Sequence, residues 1–128
     1  MAENESSILT PTPDEVREEG LRIARRYLDH RGYDVADEEA ERADVVAYEG
    51  DRAVLAAVRV SRDSDSGDAM PALDVDPEAI RAMRRACLEY AASHDDLDAV
   101  RADVIAIVIV GEGKAKLRHL IGAWSWEG

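Results

Sequence analysis

Apolar residues near the start of the chain recur with a helical period. Val16, Gly20, Ile23, Ala24, Tyr27 and Leu28 fall at i, i+4, i+7, i+8, i+11 and i+12, which is one face of a 3.6-residue repeat. Ahead of them, Thr12-Pro13-Asp14-Glu15 supplies an N-cap hydroxyl, a proline at the first helical position and a glutamate placed to reach back as a capping box. Gly32 stands where such a helix stops. The pattern predicts a helix over 13–31. Residues 1–11 are polar and aperiodic and read as a flexible tail, leaving 12–128 as one domain.

The period then shortens. Residues 33–36 read as a short strand and 37–41 as an acidic loop. Residues 43–48 and 52–60 flank Gly50-Asp51, a two-residue turn of the kind that joins antiparallel strands. If Glu49 faces Arg52, the register puts Asp44 opposite Ala57 and Arg42 opposite Arg59, with Arg59 diagonal to Asp44. Residues 61–74 are a polar loop. Asp76-Pro77-Glu78 then opens a second helix, whose stripe of Ile80, Met83, Cys87, Tyr90 and Ala91 runs to about 93. Residues 100–110 are rich in β-branched residues and nearly continuous in apolar character after Asp103, and read as a central strand buried on both faces, ended by Gly111-Glu112-Gly113. Residues 114–126 mix helix and strand signals and read as a short closing element. The order predicts an α/β fold, a mixed sheet flanked by helices, with a parallel crossover through the second helix.

Composition narrows the classes. At 128 residues the chain has the size of one domain, and 46% hydrophobic content with no Phe means a core of Val, Ile, Leu and Ala. The opening residues lack a basic and apolar leader, and the longest apolar run, 104–110, is far short of a membrane span, so a soluble cytoplasmic protein with no membrane partner is expected. A lone Cys87 excludes an intramolecular disulfide and a thiolate metal cluster. The net charge of −12 opposes general affinity for nucleic acid, leaving room only for a local basic cleft or a protein partner.

No GxGxxG, P-loop or GxSxG element occurs. Several segments instead carry a resemblance: Gly20-Leu21-Arg22-Ile23-Ala24 with Tyr27-Leu28 and Gly32-Tyr33; Val75, Pro77, Arg84-Arg85-Ala86 and Tyr90; Val100-Arg101-Ala102-Asp103-Val104; and Leu117-Arg118-His119-Leu120 with Ala123-Trp124. Together, from about Gly20 to Trp124, they resemble the YraN-like family of bacterial proteins, a branch of the restriction-endonuclease-like (PD-(D/E)xK) superfamily. The resemblance implies a restriction-endonuclease-like, three-layer fold. It also implies a nuclease centre in which one aspartate and a following acid bind Mg²⁺ while a lysine two residues beyond that acid stabilises the attacking water.

Here the pattern is broken. Asp44 matches the family's aspartate, but Ala57 stands at the acid and Arg59 at the lysine. Arg42, Leu21 and Ala79 stand where the resemblance places a further acid, a glutamate and a lysine, and the span from 52 to 62 holds no Asp or Glu. A carboxylate flanked by guanidiniums is a poor Mg²⁺ site, because Arg cannot ligate and its charge competes with the ion. The sequence therefore predicts a non-catalytic, nuclease-like scaffold with no cofactor, binding nucleic acid or a protein through Arg42 and Arg59. Two alternatives stand beside it: an active Mg²⁺-dependent endonuclease using Asp44 and an acid migrated to Glu78, Glu89 or Asp63, and a vestigial structural domain without a ligand.

Other features have plainer readings. Asp44 with Arg59 and Arg42 reads first as an ion pair at the sheet edge. The arginines Arg22, Arg25 and Arg26, and Arg81, Arg84 and Arg85, read as solvated helix faces. His30, His94 and His119 lack ligand spacing and read as surface residues. Cys87 reads as a packing residue, and Trp124 and Trp126 as core or oligomer packing.

Overall fold

The computed structural model describes residues 11–37, 43–62, 71, 73–110 and 114–128. The expected tail, Arg42, Asp63, Gly111-Glu112-Gly113 and most of the two expected loops lie outside the described residues.

Helix α1 spans Pro13–His30 and starts as its sequence dictates. The Thr12 hydroxyl accepts from the Glu15 N–H and the Glu15 carboxylate accepts from the Thr12 N–H, each at 3.1 Å. Four strands follow the expected order, β1 (Asp34–Val35), β2 (Val45–Glu49), β3 (Arg52–Arg62) and, after helix α2 (Pro77–Ser93), β4 (Ala99–Ile109). Helix α2 is capped by Asp76, whose carboxylate accepts from the Ala79 N–H at 2.8 Å.

The strands form one mixed sheet in the order β1-β2-β3-β4-β5. The β2–β3 hairpin takes the expected register, Glu49 facing Arg52 and Val45 facing Ala56, and Gly50 supplies the positive φ of 62° at the turn. Strand β4 lies parallel to β3, Arg52 beside Ala99 and Arg62 beside Ile109. The closing segment departs from expectation. It is a long strand, β5 (Ala115–Glu127), antiparallel to β4. Its period-two signal is interrupted at Gly122 (φ 71°), where the register shifts between Ala102 and Val104. Leu120 pairs with Val104 and Trp124 with Ala102, so residues 121–123 together oppose Asp103.

Alternation along the strands feeds two cores. Val45, Ala47, Val54, Ala56, Val58, Ile105 and Ile107 pack with Ala24 and Leu28 of α1 on one face. Val46, Ala53, Leu55, Val100 and Ala102 pack with Ala86 and Cys87 of α2 on the other, where Trp124 and Trp126 join them. This is an α/β fold with a helix on each face of an open mixed sheet. Helix α1 approaches β3 so closely that a Cβ on Gly20 would lie 2.1 Å from a Val60 methyl. No helix among the described residues is long and apolar enough to cross a membrane.

Candidate functional site

Two polar loci stand out against this apolar scaffold. The first is where β2 begins and diverges from β3, the position marked by Asp44. Its backbone N–H still donates to Ala56 O at 3.0 Å. Its carboxylate is held in place: Oδ2 accepts from the Val58 N–H at 2.7 Å, and Oδ1 accepts from Arg17 at 2.5 Å. Arg17 also donates to Val58 O at 3.0 Å. Thus α1, and not the neighbouring strand, supplies the cation that meets Asp44.

That corrects one expectation. Arg59 does not pair with Asp44; its guanidinium donates to the backbone carbonyl of Asp74, in the stretch leading into α2. Regular pairing through Asp44 would make Arg59 its diagonal neighbour, but the side chain turns to the Val58 N–H, a donor regular pairing would have left to a backbone carbonyl. Ala57 is half-buried on β3 and lies beside Val104 of β4. Among the migrated acids considered, Glu78 and Glu89 are exposed on α2 and Asp63 lies outside the described residues, as does Arg42. Among the described residues no group of three or more His, Cys, Asp or Glu is arranged to hold a metal ion.

The second locus is one the sequence reading missed. Asp103 is 0% exposed in the middle of β4, on the α1 face. It accepts from Arg101 Nε and Nη2 at 2.8 and 2.9 Å, from the Gly122 N–H at 2.9 Å and from His119 Nε2 at 2.7 Å. The β5 bulge is what aims the Gly122 N–H at it. Arg101 also donates to the Tyr33 hydroxyl at 2.8 Å, and His119 Nδ1 meets the Tyr27 hydroxyl at 2.8 Å. The network thus ties the end of α1 to β4 and β5. Burial alone would raise the Asp103 pKa, yet the hydrogen bonds from His119, Arg101 and Gly122, with the Arg101 charge, hold it below the ordinary carboxylate range. Burial raises the Tyr27 hydroxyl, so this phenol is kept protonated.

His119 is therefore a buried network member rather than a surface residue, its side chain 5% exposed. The signal that would have found this locus is the lone acid inside a strand buried on both faces: such a charge must be paired, and Arg101, two residues back, shares its face. Six helix arginines and the cysteine fall as read. Arg22, Arg25, Arg26, Arg81, Arg84 and Arg85 are exposed, and Cys87 is buried, its thiol raised to about 11 by burial and by the Asp103 charge.

The molecule is thus a mixed sheet with a helix on each face, an acid where β2 begins and a buried arginine–aspartate–histidine network on β4 and β5. Residues 20–107 match the family described as Uncharacterised protein family UPF0102. A UPF0102 protein of Kineococcus radiotolerans is 33% identical over 115 residues, covering 85% of this chain and 93% of that relative. The chain belongs to the UPF0102 family, the YraN-like group.

Proposed function

We propose that this protein is a non-catalytic, nuclease-like scaffold that holds nucleic-acid phosphate at the Arg59 end of β3. One observation carries the reading: the two oxygens of Asp44 are taken by Arg17 and the Val58 N–H, while Ala57 and Arg59 occupy the strand positions across the hairpin. These residues do not fit Mg²⁺. A hard divalent ion needs several oxygen ligands, and here one carboxylate is neutralised by a guanidinium that cannot ligate. What β3 offers instead is a permanent cation. Arg59 uses one N–H on the Asp74 carbonyl, and its remaining donors suit a phosphate oxygen pair.

The test is a paired cleavage and retention assay on labelled single-stranded and branched DNA. With Mg²⁺ or Mn²⁺ the reading expects no cleavage, and at low salt it expects retention that Arg59→Ala weakens. Cleavage abolished by Asp44→Ala would overturn it in favour of an active metal centre. Absence of retention at any salt would overturn it in favour of a protein partner or a vestigial cleft.

A further inference from the structure

We infer that the phosphate site is a three-cation strip across β3, β4 and β5, formed by Arg59, Arg118 and Lys116, and that it takes a single-stranded phosphodiester chain in preference to a duplex. This rests on the reading of Arg59 given above and extends it to residues of β5 that nothing in that reading requires.

The register places these side chains. Arg59 and Arg118 are both partners of Ala106, one from each side, and Ser61 and Lys116 are both partners of Val108. Partners share a face, so cationic residues flank a floor of small apolar residues. This is the face on which α2 packs, but on β3 and β4 the buried α2 core comprises Ala53, Leu55, Val100 and Ala102, near the other end of the strands. Over the outer end lies a recess of about 180 Å³ lined by Arg59, Ser61, Pro71, Ala106 and Val108, among others. Arg118 donates to the carbonyl of Pro71, a residue of the recess lining, at 3.2 Å.

Position marks the strip as an anion site. Among the described residues, Arg59, Arg118 and Lys116 make no ion pair, a state they share with helix arginines such as Arg25 and Arg85; what sets the three apart is that they stand on one face of neighbouring strands, beside the recess. In a chain of net charge −12, three cations gathered on one patch without an ion-paired acid among the described residues form a local basic patch. Its dimensions choose the ligand. Arg59 and Arg118 stand two interstrand spacings apart, about 10 Å, and the two rows are two residues apart, about 7 Å. Such a patch engages two or three neighbouring phosphates of one strand. A duplex adds a second charged strand, about one charge per 1.7 Å of axis, which the acidic remainder of the protein repels. The strip carries no aromatic ring for stacking, so binding should be salt-sensitive and indifferent to sequence.

The experiment is a fluorescence-anisotropy titration of a labelled twelve-nucleotide oligothymidine and of a labelled twelve-base-pair duplex, over a series of salt concentrations. The single strand should bind more tightly, with a log–log salt slope near −2, about 0.7 per phosphate contact. Arg118→Gln and Lys116→Gln should each weaken binding several-fold and reduce the slope by about 0.7, while Arg118→Lys keeps the slope and Arg85→Gln on the outer face of α2 changes neither. Circular dichroism confirms that each variant is folded. Unchanged affinity and slope in both β5 variants, alongside loss in Arg59→Gln, would overturn the strip and leave the Arg59 reading standing. Equal or tighter duplex binding would overturn the strand preference, and no binding by the wild type would overturn both.

Discussion

Replacing Asp103 by Asn removes a charge but almost no volume, so it isolates the electrostatics of the buried network. Four N–H donors converge on this carboxylate: two from Arg101, one from His119 and one from Gly122. An amide offers one acceptor oxygen, and its NH₂ must face donors that it cannot satisfy. Arg101, its side chain 11% exposed, is left without its counter-ion. Breaking a buried pair from one side costs about 3–5 kcal/mol. Against a total stability of roughly 5–15 kcal/mol, that is a large share. At about 3–5 °C per kcal/mol for a domain of this size, the melting temperature should fall by roughly 10–20 °C. Urea unfolding followed by the fluorescence of Trp124 and Trp126 measures the free energy directly, since both rings sit on β5 beside the bulge. The sign of the pH dependence follows from the depressed folded-state pKa of Asp103. Its contribution is fully present above the unfolded value, near 4, and is lost as pH falls through the lower folded value. The gap between wild type and Asp103→Asn should therefore be constant near neutrality and narrow below about pH 4. A loss under about 1 kcal/mol at pH 7 would refute the reasoning, because it would mean that the donors find other partners at no cost.

Further outcomes follow from single contacts. Gly20→Ala should destabilise by about 1–3 kcal/mol in thermal melts despite alanine's better helix propensity, because its Cβ would meet Val60. Thr12→Ala removes the capping box and should cost about 1 kcal/mol in urea titration. Arg17→Met should cost less than about 1 kcal/mol, because the ion pair with Asp44 is partly exposed and screened. Cys87, with its thiol near 11 and its side chain buried, should react with Ellman's reagent at pH 8 only at the rate of unfolding.

Much of the architecture was legible because its determinants are local. The capping box of α1, the Asp76 cap and the two-residue turn at Gly50 each act within four residues of themselves, so helix starts and hairpin register could be read directly. Strand β4 announced itself through the nearly continuous apolar run that follows Asp103. The rest depends on contacts distant in sequence. Arg17 meets Asp44 from another element, and Tyr27 meets His119 across 92 residues, with no spacing rule to announce either. Strand β5 was obscured for a different reason: the bulge at Gly122 breaks the alternation that would have marked it, and Lys116 and Arg118 give its first half a polar appearance on the face that α2 leaves open. The hairpin register was legible from the turn alone; the clamp on Asp44 was not.

On the proposed reading, Asp44 shares no divalent cation with a second acid. Titrating Mn²⁺ into the protein and its Asp44→Asn variant, with free ion counted by electron paramagnetic resonance, tests this without requiring a substrate. The account predicts superimposable, non-saturating curves for the two proteins. A saturable one-to-one site present in the wild type and absent from the variant would contradict it.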